Sequence, residues 1–224
     1  MPARPRPLLL GHRGARASAS VPENTIASFD LCIEHGCDGF EFDVRRTADG
    51  LPVVCHDVNF GALNLAEASA RDLESPKAQG FLPTLEQVLH RFSPRCFLDI
   101  EVKERGLEAQ VLELIRRYPP TRGYVVTSFL PEVLLRLRQL SPGVELGLIW
   151  EREPAPWQSL PVRWVLPERG LLGSALVAEL QKAGKRIGAW TVNDSVDMLR
   201  LTALGAEMLI SDDTVSLVNT FPVS

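Results

Sequence analysis

The stretch GHRGARASASVPENTIASFDLCIEHGCDGFEFDVRRTADGLPVVCHD covers residues 11–57, and the rest of the chain is organised around it. It contains three of the four histidines, among them His12 and His56, and two acids, Glu41 and Asp43, within an otherwise apolar run. Residues i and i+2 of a strand share one face, so the two carboxylates are expected to lie together. The opposite face then receives Phe40, Phe42 and Val44. Buried unpaired acids are costly, and a cation between them removes most of that cost.

Short apolar runs alternate with helix-period segments through most of the 224 residues, which is typical of an α/β fold with a parallel sheet. We predict strands at or near Leu8, Gly39, Cys96, Tyr124, Val144, Trp164, Arg186 and Met208. Eight such units fit a single (β/α)8 TIM barrel over residues 1–224. Residues 58–82 are predicted to form a short loop insertion after the second strand region. The Pro-rich stretch 153–161 is expected to hold at most one short helical turn.

Helix starts are predicted from capping patterns. Ser20 and Glu23 form an S-x-x-E capping box, so the first helix is expected to begin at about Pro22. Thr84 and Gln87 form a second box, followed by apolar residues that fit one helix face.

Composition excludes several classes of function. The chain is 45% hydrophobic and 23% charged with a formal net charge of −4, and no basic stripe indicates a nucleic-acid partner. The apolar run within the first ten residues is too short for a signal segment or a membrane anchor. The four cysteines lack CxxC spacing, so we expect buried free thiols in a reduced, cytoplasmic protein. The pattern indicates no oligomeric state.

Several short motifs follow one another in a specific order. They are HRG at residues 12–14, PENT at 22–25, ExD at 41–43, TxDG at 47–50 and HD at 56–57. Each string alone is a weak signal, but this order resembles the glycerophosphodiester phosphodiesterase family. Weaker matches continue at residues 83–86, 99–103, 190–194 and 211–212, so the resemblance covers nearly the whole chain. An Arg-Thr pair that often follows the HD motif in the family is absent.

The candidate metal ligands are Glu41, Asp43 and Glu101. These three hard oxygen ligands suit one divalent cation, Mg²⁺ or Ca²⁺, with Mn²⁺ also allowed, better than Zn²⁺. The two acids on the second strand could instead pair with Arg45 and Arg46, next to them in sequence. The resemblance implies the metal assignment.

The remaining candidates fall at predicted strand ends, where barrels of this type place their working residues. Arg13 and Lys103 are expected to bind phosphate oxygens, although Lys103 could also form an ion pair with Glu101. His12 and His56 are expected to act as general acid and base, with the assignment of each role left open.

Three further residues have two interpretations each, and a fourth, Asp212, has one. Trp190 is a candidate for stacking on the glycerol or for plain core packing. Asn24 is a candidate substrate contact, or it only positions the start of the first helix. Asp57 is expected to orient His56 or a loop amide, and Asp212 to be a structural cap.

The resemblance implies hydrolysis of a small glycerophosphodiester to sn-glycerol 3-phosphate and an alcohol, with either water or the glycerol hydroxyl as the attacking group. A first alternative is a lysophospholipase D-type reaction on a lysophospholipid, which would need an apolar groove for an acyl chain. A second alternative is a non-catalytic domain that binds glycerol phosphates.

Overall fold

The computed structural model describes residues 6–74, 82–152 and 157–222. Its strands are β1 (Leu8–His12), β2 (Gly39–Arg46), β3 (Pro52–Val54), β4 (Asn59–Phe60), β5 (Leu63–Asn64), β6 (Phe97–Val102), β7 (Tyr124–Ser128), β8 (Leu146–Trp150), β9 (Trp164–Pro167), β10 (Arg186–Ala189) and β11 (Met208–Ser211). Eight of them are parallel neighbours in the order β1, β2, β6, β7, β8, β9, β10, β11, and β11 pairs with β1 to close the ring. The predicted eight-stranded barrel is therefore confirmed.

Helices lie between most of the strands. They are α1 (Ile26–Glu34), α2 (Leu85–Phe92), α3 (Glu108–Arg117), α4 (Pro131–Leu140), α5 (Ser174–Lys182), α6 (Ser195–Leu204) and α7 (Thr214–Thr220). The capping box of Thr84 and Gln87 is present at the start of α2. Between β8 and β9 the described residues hold one 3-10 turn, Trp157–Ser159, as expected, while residues 153–156 of that stretch lie outside the description.

The predicted start of the first helix at Pro22 is wrong. Helix α1 begins after Thr25, whose hydroxyl accepts a hydrogen bond from the backbone N–H of Ser28. Asn24 has φ +56°, in the left-handed region, so the chain cannot be helical through this residue. The backbone N–H of Asn24 instead donates to the carbonyl of Arg13, 3.0 Å away, which folds the PENT segment onto the HRG segment.

Alternation along the strands produces two apolar cores. The barrel interior contains Leu10, Phe97, Val125, Ile149, Trp164, Leu166, Met208 and Ile210. The larger core lies between the barrel and the helices, and there Phe40 stacks on Phe29 with ring centroids 4.1 Å apart. On β2 this places Phe40, Phe42 and Val44 outside, as predicted, and leaves the acids inside. Gly39 lets β6 approach, since a Cβ there would lie 1.8 Å from the Phe97 carbonyl oxygen.

The insertion after the second strand region packs on the side of the barrel. Strand β3 pairs antiparallel with the end of β2, and the hairpin of β4 and β5 and a 3-10 turn, Ala70–Glu74, follow. Leu65 is buried against Val53 and Cys55. Asn59, Phe60 and Leu82 line a groove of about 250 Å³ that reaches His56. Residues 75–81 of the insertion lie outside the described part.

All four cysteines are buried and unpaired. Among the described residues, no helix combines the length and the apolar character needed to cross a bilayer.

Candidate active site

A cavity of about 380 Å³ opens at the carboxyl ends of the barrel strands. One side of it is charged and the other is apolar. Its lining comprises His12, Arg13, Glu41, His56, Glu101, Lys103, Phe129, Ile149, Glu151, Leu166, Trp190 and Ile210. Parallel strands bring their carboxyl ends to one edge of the barrel, so side chains distant in sequence meet here. Of the nine predicted site residues, seven line this cavity, while Asp43 contacts Arg13 and Lys103 of the lining and Asn24 contacts Asp43.

The charged side centres on three buried acids. Oxygen atoms of Glu41, Asp43 and Glu101 lie within 4.8 Å of one another. One carboxylate oxygen of Glu41, Oε1, is buried and has no hydrogen-bond partner within the described residues. Burial, with the neighbouring Asp43 and Glu101, holds the pKa of Glu41 well above its usual range. Burial and Asp43 likewise raise the pKa of Glu101 to about 7. The positive charge near Glu41 and Glu101 is therefore too small to offset their burial, and an all-oxygen set with an unpartnered atom fits a hard divalent cation.

A fourth acid lies below this group. Asp99 is fully buried one step down the same face of β6, and it accepts a hydrogen bond of 2.6 Å from the hydroxyl of Thr127. Burial raises the pKa of Asp99 to about 8 even though this hydrogen bond opposes the shift. Asp99 therefore adds to the negative potential beneath the three acids once it is ionised.

Two cations contact the acids. Lys103 Nζ lies 2.7 Å from Glu101 and 3.3 Å from Asp43, so the ion pair expected as an alternative is present. Arg13 Nε lies 3.3 Å from Asp43. Burial alone would raise the pKa of Asp43, but Lys103 and Arg13 outweigh it and lower that pKa. Arg45 lies 3.5 Å from Glu104 and so does not neutralise the acids. Arg46 likewise lies 3.4 Å from Glu104.

The two histidines are held in similar ways. Nδ1 of His12 lies 2.7 Å from Asp212 Oδ1, and Nδ1 of His56 lies 2.8 Å from Asp57 Oδ1. An ionised carboxylate can only accept, so Nδ1 of each ring carries a proton and Nε2 is left to react. Both rings line the cavity. Burial lowers the pKa of His56 despite the hydrogen bond to Asp57. The expected contact between Asp57 and the imidazole of His56 is thus present.

The prediction that Asp212 is a structural cap is wrong. Asp213 caps α7, whereas Asp212 binds His12, Arg16 and Asn193 with its carboxylate. Burial would raise the pKa of Asp212, but the hydrogen bonds from His12 and Asn193 outweigh it and hold this pKa well below its usual range. The pairing of β1 with β11, which aligns Gly11 with Ser211, brings Asp212 beside His12.

Strained backbone positions residues on the charged side of the cavity. Arg13 has φ +53°, a conformation rare for residues other than glycine. Its N–H donates to Glu41 Oε2 at 3.1 Å, and its guanidinium binds Glu23 at 2.8 Å. Asn24, also left-handed, donates from Nδ2 to Asp43 at 2.8 Å. Such strain persists only where the surroundings over-determine it, and here it fixes Arg13 and Asp43 relative to each other.

The apolar side of the cavity was largely missed from the sequence. Trp190 Nε1 donates to the carbonyl of Leu166 at 3.0 Å, and its ring meets Phe129 edge to face at 5.5 Å. Glu151, one residue past β8, is the acid on this side of the lining. Phe129 and Glu151 could have been found from the sequence, because each directly follows a barrel strand and residues at such positions line the active sites of these barrels.

The chain matches the family model described as the glycerophosphoryl diester phosphodiesterase family over residues 12–216. It is 30% identical to a glycerophosphodiester phosphodiesterase of Caldanaerobacter subterraneus subsp. tengcongensis, covering 95% of this chain and 96% of the relative. A glycerophosphodiester phosphodiesterase structure from Thermotoga maritima aligns with a TM-score of 0.81 at 25% identity, covering 97% of this chain and 99% of that one.

A phosphodiesterase of Oleispira antarctica, solved in complex with the product sn-glycerol-3-phosphate, aligns with a TM-score of 0.83 at 24% identity and covers 96% of both chains. The likeness to this structure concerns the barrel fold. Together with the family match over most of its length, the motif order and the cavity geometry, these findings establish that the chain belongs to the glycerophosphoryl diester phosphodiesterase family and is a phosphoric diester hydrolase.

Proposed function

We propose that this enzyme hydrolyses small glycerophosphodiesters to sn-glycerol 3-phosphate and an alcohol in a reaction that depends on one divalent cation. The observation that carries the proposal is the buried triad of Glu41, Asp43 and Glu101 beside two imidazoles that are each held by a carboxylate. The Oleispira antarctica structure, with its product bound, supports the identity of the product.

The three acids would hold Mg²⁺ or Ca²⁺, with Mn²⁺ also compatible, because all the donors are carboxylate oxygens. When bound, the ion would neutralise the acids and polarise a phosphate oxygen. Asn24 holds Asp43 through its side-chain amide, so its role in this proposal is to position that ligand. A direct contact between Asn24 and substrate stays a prediction.

Arg13 and Lys103 bind the non-bridging phosphate oxygens in this proposal. Both line the cavity, and both side chains are largely buried, so their charges act in a medium of low dielectric constant. Burial lowers the pKa of Lys103, but Glu101 and Asp43 outweigh it and raise that pKa, which keeps the ammonium charged.

His12 and His56 act as general base and general acid. Nε2 of one ring, which is neutral, takes the proton from the attacking oxygen as the new P–O bond forms. The other ring starts as an imidazolium with protons on both nitrogens, and it gives its Nε2 proton to the alkoxide as the old P–O bond breaks. The Nδ1 hydrogen bonds to Asp212 and Asp57 keep a proton on Nδ1 of each ring, which leaves Nε2 as the atom that accepts or donates the transferred proton.

The substrate is a small molecule, and Trp190 packs against its glycerol part. The lysophospholipid alternative needs a long apolar groove, whereas Glu151 adds a carboxylate to the apolar side of this cavity. A domain that only binds glycerol phosphates would not need two imidazoles that are each held by a carboxylate. The buried free thiols suit a reducing, cytoplasmic setting.

The test is release of glycerol phosphate from glycerophosphocholine with Mg²⁺, Ca²⁺ or EDTA. We compare the wild type with His12→Ala and His56→Ala, and with His90→Ala as a matched control, because His90 lies on α2 against Tyr118. Loss of general acid or base catalysis costs about 10²–10⁴-fold, so both site variants should fall by that factor while the control keeps wild-type activity. Turnover that is unaffected by EDTA, or that survives in His12→Ala, would refute the proposal.

A further inference from the structure

Glu151 is the charged residue of the apolar side of the cavity that none of the catalytic assignments uses. It directly follows β8, and alternation along the strand places it on the same face as Ile149, which lines the cavity. Its carboxylate is half exposed at 52% and lies 3.4 Å from Nε of Arg152, which is itself 87% exposed. An exposed pair of neighbours is weak, so the carboxylate remains available to a ligand.

Within the part of the chain that the structure describes, the surroundings of Glu151 offer few other polar groups. Ile149, Leu166 and Ile210 contribute hydrocarbon to this side of the cavity. The indole N–H of Trp190 is already bonded to the Leu166 carbonyl, and Lys103 Nζ stands 5.7 Å over the ring of Phe129 on the phosphate side. A ligand hydroxyl that enters this region therefore finds Glu151 as its acceptor, and a hydroxyl left without one costs binding energy.

The glycerol end of the substrate matches this arrangement. Its carbon backbone is apolar on one side and suits the wall of Trp190, while its two free hydroxyls are donors that suit the two oxygens of one carboxylate. An acyl chain on the glycerol replaces a donor with an ester, which has no hydrogen to donate and whose oxygens face the carboxylate unfavourably.

We propose that Glu151 determines specificity by accepting hydrogen bonds from the free glycerol hydroxyls, which selects glycerophosphodiesters over substrates with an acylated glycerol. This inference rests on the proposed function, because it assumes that the phosphate lies against Arg13 and Lys103. Hydrogen bonds to a charged acceptor are strong enough for a preference of about tenfold to hundredfold.

The test compares two ligands that share a phosphate and differ in hydroxyls, sn-glycerol 3-phosphate and propyl phosphate. Calorimetric titration in the presence of Mg²⁺ measures both affinities for the wild type, Glu151→Gln and the matched control Arg152→Gln. We expect the wild type and the control to bind glycerol phosphate at least tenfold more tightly than propyl phosphate. In Glu151→Gln the ratio should fall below about threefold, with the propyl phosphate affinity unchanged.

The inference is overturned if Glu151→Gln keeps the wild-type ratio, if the wild type shows no preference, or if the variant loses affinity for both ligands equally. The last result would mean that Glu151 supports the phosphate site and does not recognise the glycerol hydroxyls. The ratio requires no turnover, so it decides this inference separately from the glycerophosphocholine assay that decides the proposed function.

Discussion

Replacing Asp212 with asparagine tests whether the carboxylate behind His12 is part of the catalytic apparatus. The two groups lie 2.7 Å apart, and the Asp212 side chain is only 19% exposed, so solvent screens the interaction weakly. A hydrogen bond to a charged group contributes about 1.5–3 kcal/mol, whereas a neutral one contributes about 0.5–1.5 kcal/mol. Asparagine keeps a neutral bond at best, and its amide can also donate to Nδ1 and so favour the wrong tautomer.

We therefore expect kcat on glycerophosphocholine to fall about tenfold to hundredfold in Asp212→Asn, which corresponds to a loss of about 1.4–2.8 kcal/mol in the stabilisation of His12. KM should change little, because Asp212 is not in the lining of the cavity. Steady-state kinetics at saturating Mg²⁺ separates the two parameters, and circular dichroism checks the fold.

Two matched variants make the result specific. Asp57→Asn alters the equivalent bond on His56, but Asp57 is 78% exposed, so we expect a loss of less than about fivefold. Arg16→Gln removes the other charged partner of Asp212 and leaves the bond to His12 in place. Equal losses in the two Asp→Asn variants, or a loss in Asp212→Asn that appears only in KM, would refute the reasoning.

Three further predictions concern stability. In EDTA-treated protein, Mg²⁺ at about 100 times its Kd should stabilise the fold by about 2.7 kcal/mol, which calorimetry would detect as a rise in Tm of about 5–10 °C. Glu41→Gln should lose most of this stabilisation by Mg²⁺. A full stabilisation of the variant would contradict the metal assignment. The free energy of unfolding in urea should be about 1–2 kcal/mol lower for Asn24→Ala than for Asn24→Gly. Both variants lose the hydrogen bond to Asp43, but φ +56° is unfavourable for alanine and not for glycine. Equal stabilities of the two variants would contradict backbone strain at this position. The pKa of Asp212 is lower in the folded than in the unfolded state, so its contribution is present above about pH 4 and is lost as the pH falls through the folded value. The wild type should therefore be more stable than Asp212→Asn in urea at pH 7, with a smaller difference near pH 3; a constant difference would contradict this linkage.

Barrel strands were predictable because each is a short apolar run bounded by glycine, proline or a polar residue. The alternation on β2 also gave the correct face for Glu41 and Asp43, since a strand buried on both sides still separates its residues by a period of two. The helix start at Pro22 was not predictable from local pattern. The contacts that hold Asn24 in the left-handed backbone conformation come from Arg13 and Asp43. A capping-box pattern depends only on neighbouring residues in the sequence and cannot predict these contacts.

Asp212 shows a different kind of limit. It lies 200 positions from His12 in sequence, and only closure of the barrel makes the two neighbours. Once a closed barrel is assumed, however, the first and last strands must be adjacent, and the residues that follow them must meet at the same end. The fold prediction therefore already contained the contact, and reading Asp212 as a cap missed a consequence of the predicted topology.

The electrostatics of the barrel explain why fold and site can coexist in one interior. Glu41, Asp43, Asp99 and Glu101 place four acids among strands that are otherwise apolar, and Arg13 and Lys103 supply only two compensating charges. Such an imbalance opposes folding. The barrel tolerates it because the acids occupy only its carboxyl end, while the opposite end and the whole layer between strands and helices are packed with hydrocarbon. In the function we propose, a divalent cation held by Glu41, Asp43 and Glu101 would offset this excess of buried acids and attract an anionic phosphate to the same end of the barrel.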